Sequence, residues 1–203
     1  IGCGCGIEKE LDDSAKKAES ISAAMQKKSE NEESEEKLDE KVVVDVVPYD
    51  ICFTFSDDWE NTTDDSPFDL QMKRDDRYYC SIFGFKDIDL SNGMVPEDIF
   101  ELQKEDLFGK RDFVELVKKE PVWENEKKKI YRELYSGELE GEKYYYYCCL
   151  IDFKEPAEGL AWVIFSGGPS WIENDIQDLD EILMTAEDTG VSTDDEVVGE
   201  NEI

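Results

Sequence analysis

Apolar positions along the chain alternate, cluster and then change period, and these changes divide it into elements. Residues 49–55 (YDICFTF) are rich in β-branched and aromatic side chains and stop at the Asp57-Asp58-Trp59 turn, so they predict a strand. Phe68, Leu70 and Met72 alternate with polar residues as in a half-buried strand, and residues 78–85 (YYCSIFGF) predict a third. The period then lengthens. Pro96, Glu97 and Asp98 read as a helix start with Ile99, Leu102 and Phe108 on one side, although Val95 is a poor cap. Asp112-Phe113-Val114-Glu115 has capping-box spacing and predicts a second, short helix closed by Pro121.

The second half repeats this alternation of types. Residues 129–139 predict a strand with Ile130 and Leu134 on one face, while 144–153 (YYYYCCLIDF) and 160–165 (LAWVIF) are apolar on both faces. Strands of that kind lie inside a sheet covered on each side. The polar, glycine-interrupted stretch 137–143 fits a hairpin turn between the first two of them. Ser170-Trp171-Ile172-Glu173 has capping-box spacing, and Ile172, Ile176, Leu179, Leu183 and Ala186 then form one apolar stripe of a helix. The predicted order is three strands, two helices, three strands, one helix. Sequential hairpins with intervening helices predict an α+β fold: an α/β/α sandwich whose central, mostly antiparallel sheet has about six strands, with helices on both faces.

Composition separates this domain, 42–188, from its flanks. Residues 7–41 contain no aromatic and few branched apolar side chains, so they predict a disordered or frayed-helical acidic tether; Leu11, Ala18, Ile21 and Met25 supply only a thin helical seam. Residues 189–203 predict a disordered acidic tail. Over the 203 residues, 53 acids oppose 22 bases, a net charge of −31. The domain shares the excess, with 34 acids against 15 bases between Val42 and Ala186. Such a surface repels phosphate backbones, which argues against DNA or RNA as a partner. No histidine is present, which removes Ser-His, Cys-His and His-zinc arrangements together. Four of the six cysteines (Cys52, Cys80, Cys148, Cys149) fall in apolar strand-like runs and read as small buried hydrophobes. They are expected to be reduced or structurally paired. No apolar run reaches the roughly 18 residues of a membrane span.

Ile1-Gly2-Cys3 fits the last three positions of a bacterial lipoprotein signal, in which the cysteine thiol is diacylated. Residues 1–6 are therefore read as a lipid-anchor region attached through Cys3, in a chain truncated upstream of Ile1. If the start were instead Met, Gly2 and Cys3 would suit myristoylation and palmitoylation, with Gly6 standing where Ser or Thr is wanted. Either route gives a lipid anchor. The first places the domain at the extracytoplasmic face of the cell membrane.

Several features point in one direction: the opening strand closing on Asp58-Trp59, the Pro96-Glu97-Asp98-Ile99 helix start, the hairpin from Tyr135-Ser136-Gly137 into Lys143-Tyr144-Tyr145-Tyr146, and Phe165 followed by the 171–184 helix. In this order they resemble the PsbP-like fold, shared by an extrinsic subunit of the photosynthetic oxygen-evolving complex, a Ran-binding nuclear-import factor and many bacterial lipoproteins. The resemblance spans about residues 49–186 and implies a non-enzymatic binding or assembly protein. No functional motif of the plant subunit is matched, so its role is not carried over.

No pattern calls for a cofactor, a resident metal or a catalytic residue. Asp87-x-Asp89 with Asn92-Gly93 loosely matches a calcium loop, but its glycine is one position late, and a solvated turn is expected. Asp57, Asp58, Glu60, Asp64 and Asp65 read as an acidic loop kept soluble. Trp162 reads as core. Trp59 and Trp123, at turn or helix-end positions, read as core packing or as anchors for a partner. Residues 110–132 hold 8 of the domain's 15 bases, so Lys118, Lys119, Lys127, Lys128 and Lys129 join the two tryptophans as the candidate partner surface. The expected partner is a cationic protein on the acidic faces, with an anionic polymer on this basic stretch as the alternative, and the chain itself is expected to be monomeric. Two other classes remain open: a soluble intracellular protein-interaction module, and a hydrolase that works without histidine through a carboxylate pair.

Overall fold

A computed structural model describes residues 41–46, 49–86, 93–154 and 159–189. Cys3 and the anchor region, the tether, the acidic tail beyond residue 189 and the Asp87-x-Asp89 loop lie outside the described residues. The elements are β1 (Lys41–Val46), β2 (Ile51–Ser56), β3 (Glu60–Asn61), β4 (Leu70–Asp75), β5 (Tyr78–Lys86), α1 (Pro96–Phe108), β6 (Asp112–Lys119), β7 (Trp123–Glu124), β8 (Lys128–Leu139), β9 (Glu142–Phe153), β10 (Gly159–Gly167), α2 (Pro169–Thr185) and β11 (Glu187–Asp188).

Among the described residues all strand pairs are antiparallel, and they form two sheets rather than one of about six strands. The larger has eight strands, in the order β3-β4-β5-β10-β9-β8-β6 with β7 also paired to β8; the smaller has three, in the order β1-β2-β11. The β8–β9 hairpin turns on Glu140 and Gly141, at φ of 56° and 81°. Two central residues with positive φ match the right-handed twist of the flanking strands, and glycine at the second carries no Cβ penalty.

The apolar pattern of β9 explains why both its faces are buried. Tyr146, Cys148 and Leu150 join Trp162 and the α1 residues Ile99 and Phe100 in one core cluster. The alternate residues Tyr147, Cys149 and Ile151 belong to the other, with Phe53, Phe55 and Phe165 and with Ile172, Leu179 and Leu183 of α2.

Two predicted elements are corrected. Asp112–Lys119 is a strand, not a helix. Its Phe-Val-x-Leu-Val content favours extended backbone, and pairing to β8 satisfies its N–H and C=O groups; a capping-box spacing alone offers no apolar face for a helix to bury. α2 begins at Pro169 with Gly168 as its N-cap and no side-chain cap, so Ser170 lies inside the first turn. Proline at the first helical position loses no hydrogen bond, because that N–H has no intrahelical partner anyway. At α1 the start is as read: Pro96 opens the helix, Val95 is the cap, and the Asp98 carboxylate accepts the Val95 N–H at 3.2 Å.

Candidate functional site

Strand β8 sends opposite charges to opposite faces. Glu133, 3% exposed, accepts hydrogen bonds from Lys104 of α1 at 2.5 Å, from Tyr135 at 2.6 Å and from Lys119 at 2.6 Å. Burial alone would raise its carboxyl, but these donors outweigh it and hold the group at about 2. Lys104 is itself buried, lies 4.3 Å from the Phe100 ring centroid and also meets Glu101 at 2.8 Å. Next along the strand, Arg132 points the other way and donates to Asp180 of α2 at 2.7 Å; Tyr147 donates to the same carboxylate at 2.7 Å. Each helix is thus joined to the sheet by ion pairs, α1 through Lys104–Glu133 and Glu97–Lys129 and α2 through Asp180–Arg132 and Asp175–Arg74.

The thiols are equally withdrawn. Cys52, Cys80, Cys148 and Cys149 are free and buried, and burial pushes all four thiols up. A thiolate is the reactive form, so native protein should react with a thiol reagent only as fast as it opens. With Cys3 and Cys5 replaced by serine, titration with an aromatic disulfide should show the remaining four thiols within seconds in denaturant and a slow phase without it. A fast native phase from Cys148 or Cys149 would contradict this.

The candidate partner surface does not form one patch. Trp59 is 7% exposed and packs against Phe55, Tyr78 and Phe165 at centroid distances of 5.7, 5.3 and 6.4 Å, so it is core. Trp123, in β7, is half-buried against the α2-side cluster. Lys128 is buried and donates to the carbonyls of Met184 and Ala186 at 2.6 Å and of Leu183 at 3.3 Å. Neither Trp59 nor Lys128 is at the surface, because the turn after β2 and the start of β8 both face the α2 side. Lys118 pairs with Glu120, Lys119 with Glu133 and Lys129 with Glu97 at 3.2 Å. Lys127 is exposed, with no ion pair among the described residues. The basic stretch is largely neutralised by its own carboxylates.

What the surface does present is apolar. Phe113, Leu116, Val117 and Val122 are all exposed, Phe113 at 77%, on and just after the outermost strand of the large sheet. The register with β8 shifts between Asp112 and Glu115 and again between Leu116 and Lys118. Phe113 sits at the first irregularity with φ 51°, a left-handed backbone that costs an L-residue about 1–2 kcal/mol. A bulge of this kind re-aims a side chain, here an aromatic ring into solvent. Apolar content in 112–119 was visible in the sequence; its exposure was not, because a helix had been the expected element.

A cleft of about 310 Å³ lies on the α1 side of the large sheet. Phe68, Leu107 and Ile164 give it apolar walls; Gln71, Tyr79, Ser81, Arg111, Tyr146 and Ser166 supply polar groups. Gln71 donates to Ser81 at 3.2 Å and Arg111 Nε to the Tyr146 hydroxyl at 3.2 Å. Sequence reading passed over Arg111 as one of eight bases in 110–132.

Comparison by sequence finds no matching protein-family model and no matching curated protein. Comparison by structure does find likenesses. Cyanobacterial PsbP (CyanoP) from Synechocystis sp. PCC 6803 matches with a TM-score of 0.53 at 12% identity, over 76% of this chain and 95% of that one. The Ran-binding protein Mog1p of Saccharomyces cerevisiae matches with a TM-score of 0.49 at 10% identity, over 74% and 96%. A Pseudomonas aeruginosa protein of unknown function matches at 0.40 with 12% identity, over 71% and 94%. The chain has a PsbP-like fold, as its residues suggested; at these identities the likeness shows the fold alone.

Proposed function

We propose that the chain is a lipid-anchored, extracytoplasmic binding or assembly protein that works without catalysing a reaction, its domain a PsbP-like α/β/α sandwich projected from the membrane on an acidic tether. The observation that carries the reading is the cluster in sequence of exposed apolar residues Phe113, Leu116, Val117 and Val122, four of the eight large apolar side chains that the described residues expose. Contiguous exposed apolar side chains mark interaction surfaces, and a ring held outward at a backbone cost is consistent with a contact that uses it. Its partner is a cationic protein. Asp112 and Glu115 flank the group, and the nearby Lys118 and Lys119 are occupied by Glu120 and Glu133, so the local charge favours a basic rim around an apolar anchor. Ile1-Gly2-Cys3 supports the anchor, and the aromatic-free 7–41 stretch supports the tether.

The complete gene, expressed with its native upstream residues, should yield protein in the membrane fraction that Cys3→Ser releases. Chemical cross-linking in those cells should trap a basic protein, and Phe113→Ser with Leu116→Ser should abolish the cross-link while leaving the fold intact. A product that stays in the cytosol whatever residue stands at position 3 sinks the location. An unchanged cross-link in the double variant sinks the surface.

A further inference from the structure

The Arg111 cleft has the construction of a small-ligand site. Arg74, Arg77 and Arg132 each meet a carboxylate: Asp58 and Asp175, Glu142, and Asp180. Arg111 alone of the four described arginines makes no ion pair. Its Nε is held by the Tyr146 hydroxyl and its guanidinium carbon lies 5.4 Å from that ring's centroid, while its two terminal nitrogens bond to no described residue. In a protein of net charge −31, a guanidinium fixed in a cleft with no Asp or Glu among its lining residues is an unusual concentration of positive charge. Arginine's planar donor fork matches a carboxylate.

The surroundings select among anions. Leu107 belongs to the last turn of α1, and the Arg111 N–H bonds to the Phe108 carbonyl at 3.1 Å, so the cleft lies beside a helix C-terminus. The partial negative charge there disfavours a dianion such as phosphate, and a single cation balances a single negative charge. In the same cleft, Phe68 is fixed against Phe83 at a centroid distance of 4.7 Å, and with Leu107 and Ile164 it offers an apolar bed that needs no rearrangement. The volume, about 310 Å³, is at the small end of ligand pockets. We propose that the cleft between Arg111 and Phe68 binds a small organic monocarboxylate with an apolar or aromatic body: the carboxylate on Arg111, the body on Phe68, Leu107 and Ile164.

Phenylacetate is a suitable probe, titrated into the full chain and followed by amide chemical shifts. Saturable shifts are expected at Gln71, Ser81, Arg111 and Ser166, with affinity in the millimolar range or tighter, and Arg111→Gln should weaken binding by about tenfold or more. Phenylacetamide, which keeps the shape and loses the charge, should bind the unaltered protein at least about tenfold more weakly; this arm needs no variant to fold. No saturable shift at about 20 mM phenylacetate overturns the site, since a millimolar ligand would saturate there. Equal binding of phenylacetamide overturns the role of Arg111. Displacement of phenylacetate by inorganic phosphate at equal concentration overturns the monocarboxylate assignment.

Discussion

Replacing Glu133 with alanine should destabilise the domain by about 3–5 kcal/mol, because it strands the Lys104 ammonium in a buried site without its main counter-charge. Glu101 meets the same ammonium, but from an exposed side chain, and cannot substitute for the short contact beneath the helix. Replacing Lys104 and Glu133 together with Met and Leu should cost far less than either single change, since both desolvated charges leave at once. That non-additivity, read from urea midpoints of the four proteins, is the check. Additive losses would mean that the two groups act independently. The pH dependence follows from the carboxyl's position. Its folded value, about 2, lies below the ordinary 4.5, so its contribution is fully present above about 4.5 and is lost as pH falls toward 2. Glu133→Gln should therefore show a shallower loss of stability than the unaltered protein as the pH is lowered through this window.

Much of the architecture was legible where one period ran unbroken. Hydrophobic periodicity located β5, β8, β9, β10, α1 and α2, but it misplaced part of the α1 face: Leu102 is exposed, and the helix buries Ile99, Phe100 and Lys104 instead. It failed where pairing rather than burial decides the structure. β6 exposes most of its residues, so no apolar alternation distinguishes strand from helix there, and backbone hydrogen bonding to β8 settles it. β1 exposes both Val42 and Val43 and so shows no alternation either; its place is fixed by six residue pairs with β2. For the candidate site, sequence spacing put five lysines in one patch. It could not show that Lys118, Lys119 and Lys129 each find a carboxylate distant or adjacent in the chain, or that Lys128 turns inward. Adjacent residues on β8 face opposite layers, so Lys128 turns into the core while Lys129 pairs with Glu97, and Lys127, which precedes the strand, faces solvent.

Lys128→Glu should be the most damaging single charge reversal in the domain, costing more than about 4–5 kcal/mol. α2 ends at Thr185 with Ala186 as its C-cap and Glu187 next, so no glycine or asparagine is placed to close it in a left-handed turn. The Lys128 ammonium takes that part instead, reaching from the start of β8 to the carbonyls of Leu183, Met184 and Ala186. A carboxylate there would face three carbonyl oxygens and the negative end of the helix in a dry site. Lys128→Met, which only removes the donor, should cost about 1–3 kcal/mol. Charge reversal across the whole 118–129 run would therefore report unfolding rather than binding unless Lys128 is spared. The pH response has the opposite sense to that of Glu133. Burial, partly offset by Glu187, pulls the Lys128 amine from 10.5 down to about 8. Between those values the unfolded chain holds a proton that the folded chain has released, so this group's contribution to stability rises with pH from about 8 to 10.5. The gap in unfolding free energy between the unaltered protein and Lys128→Met should accordingly widen in favour of the former from pH 7.5 to pH 10. A constant gap would mean that the folded site does not disfavour the charged amine, its carbonyl contacts offsetting its burial.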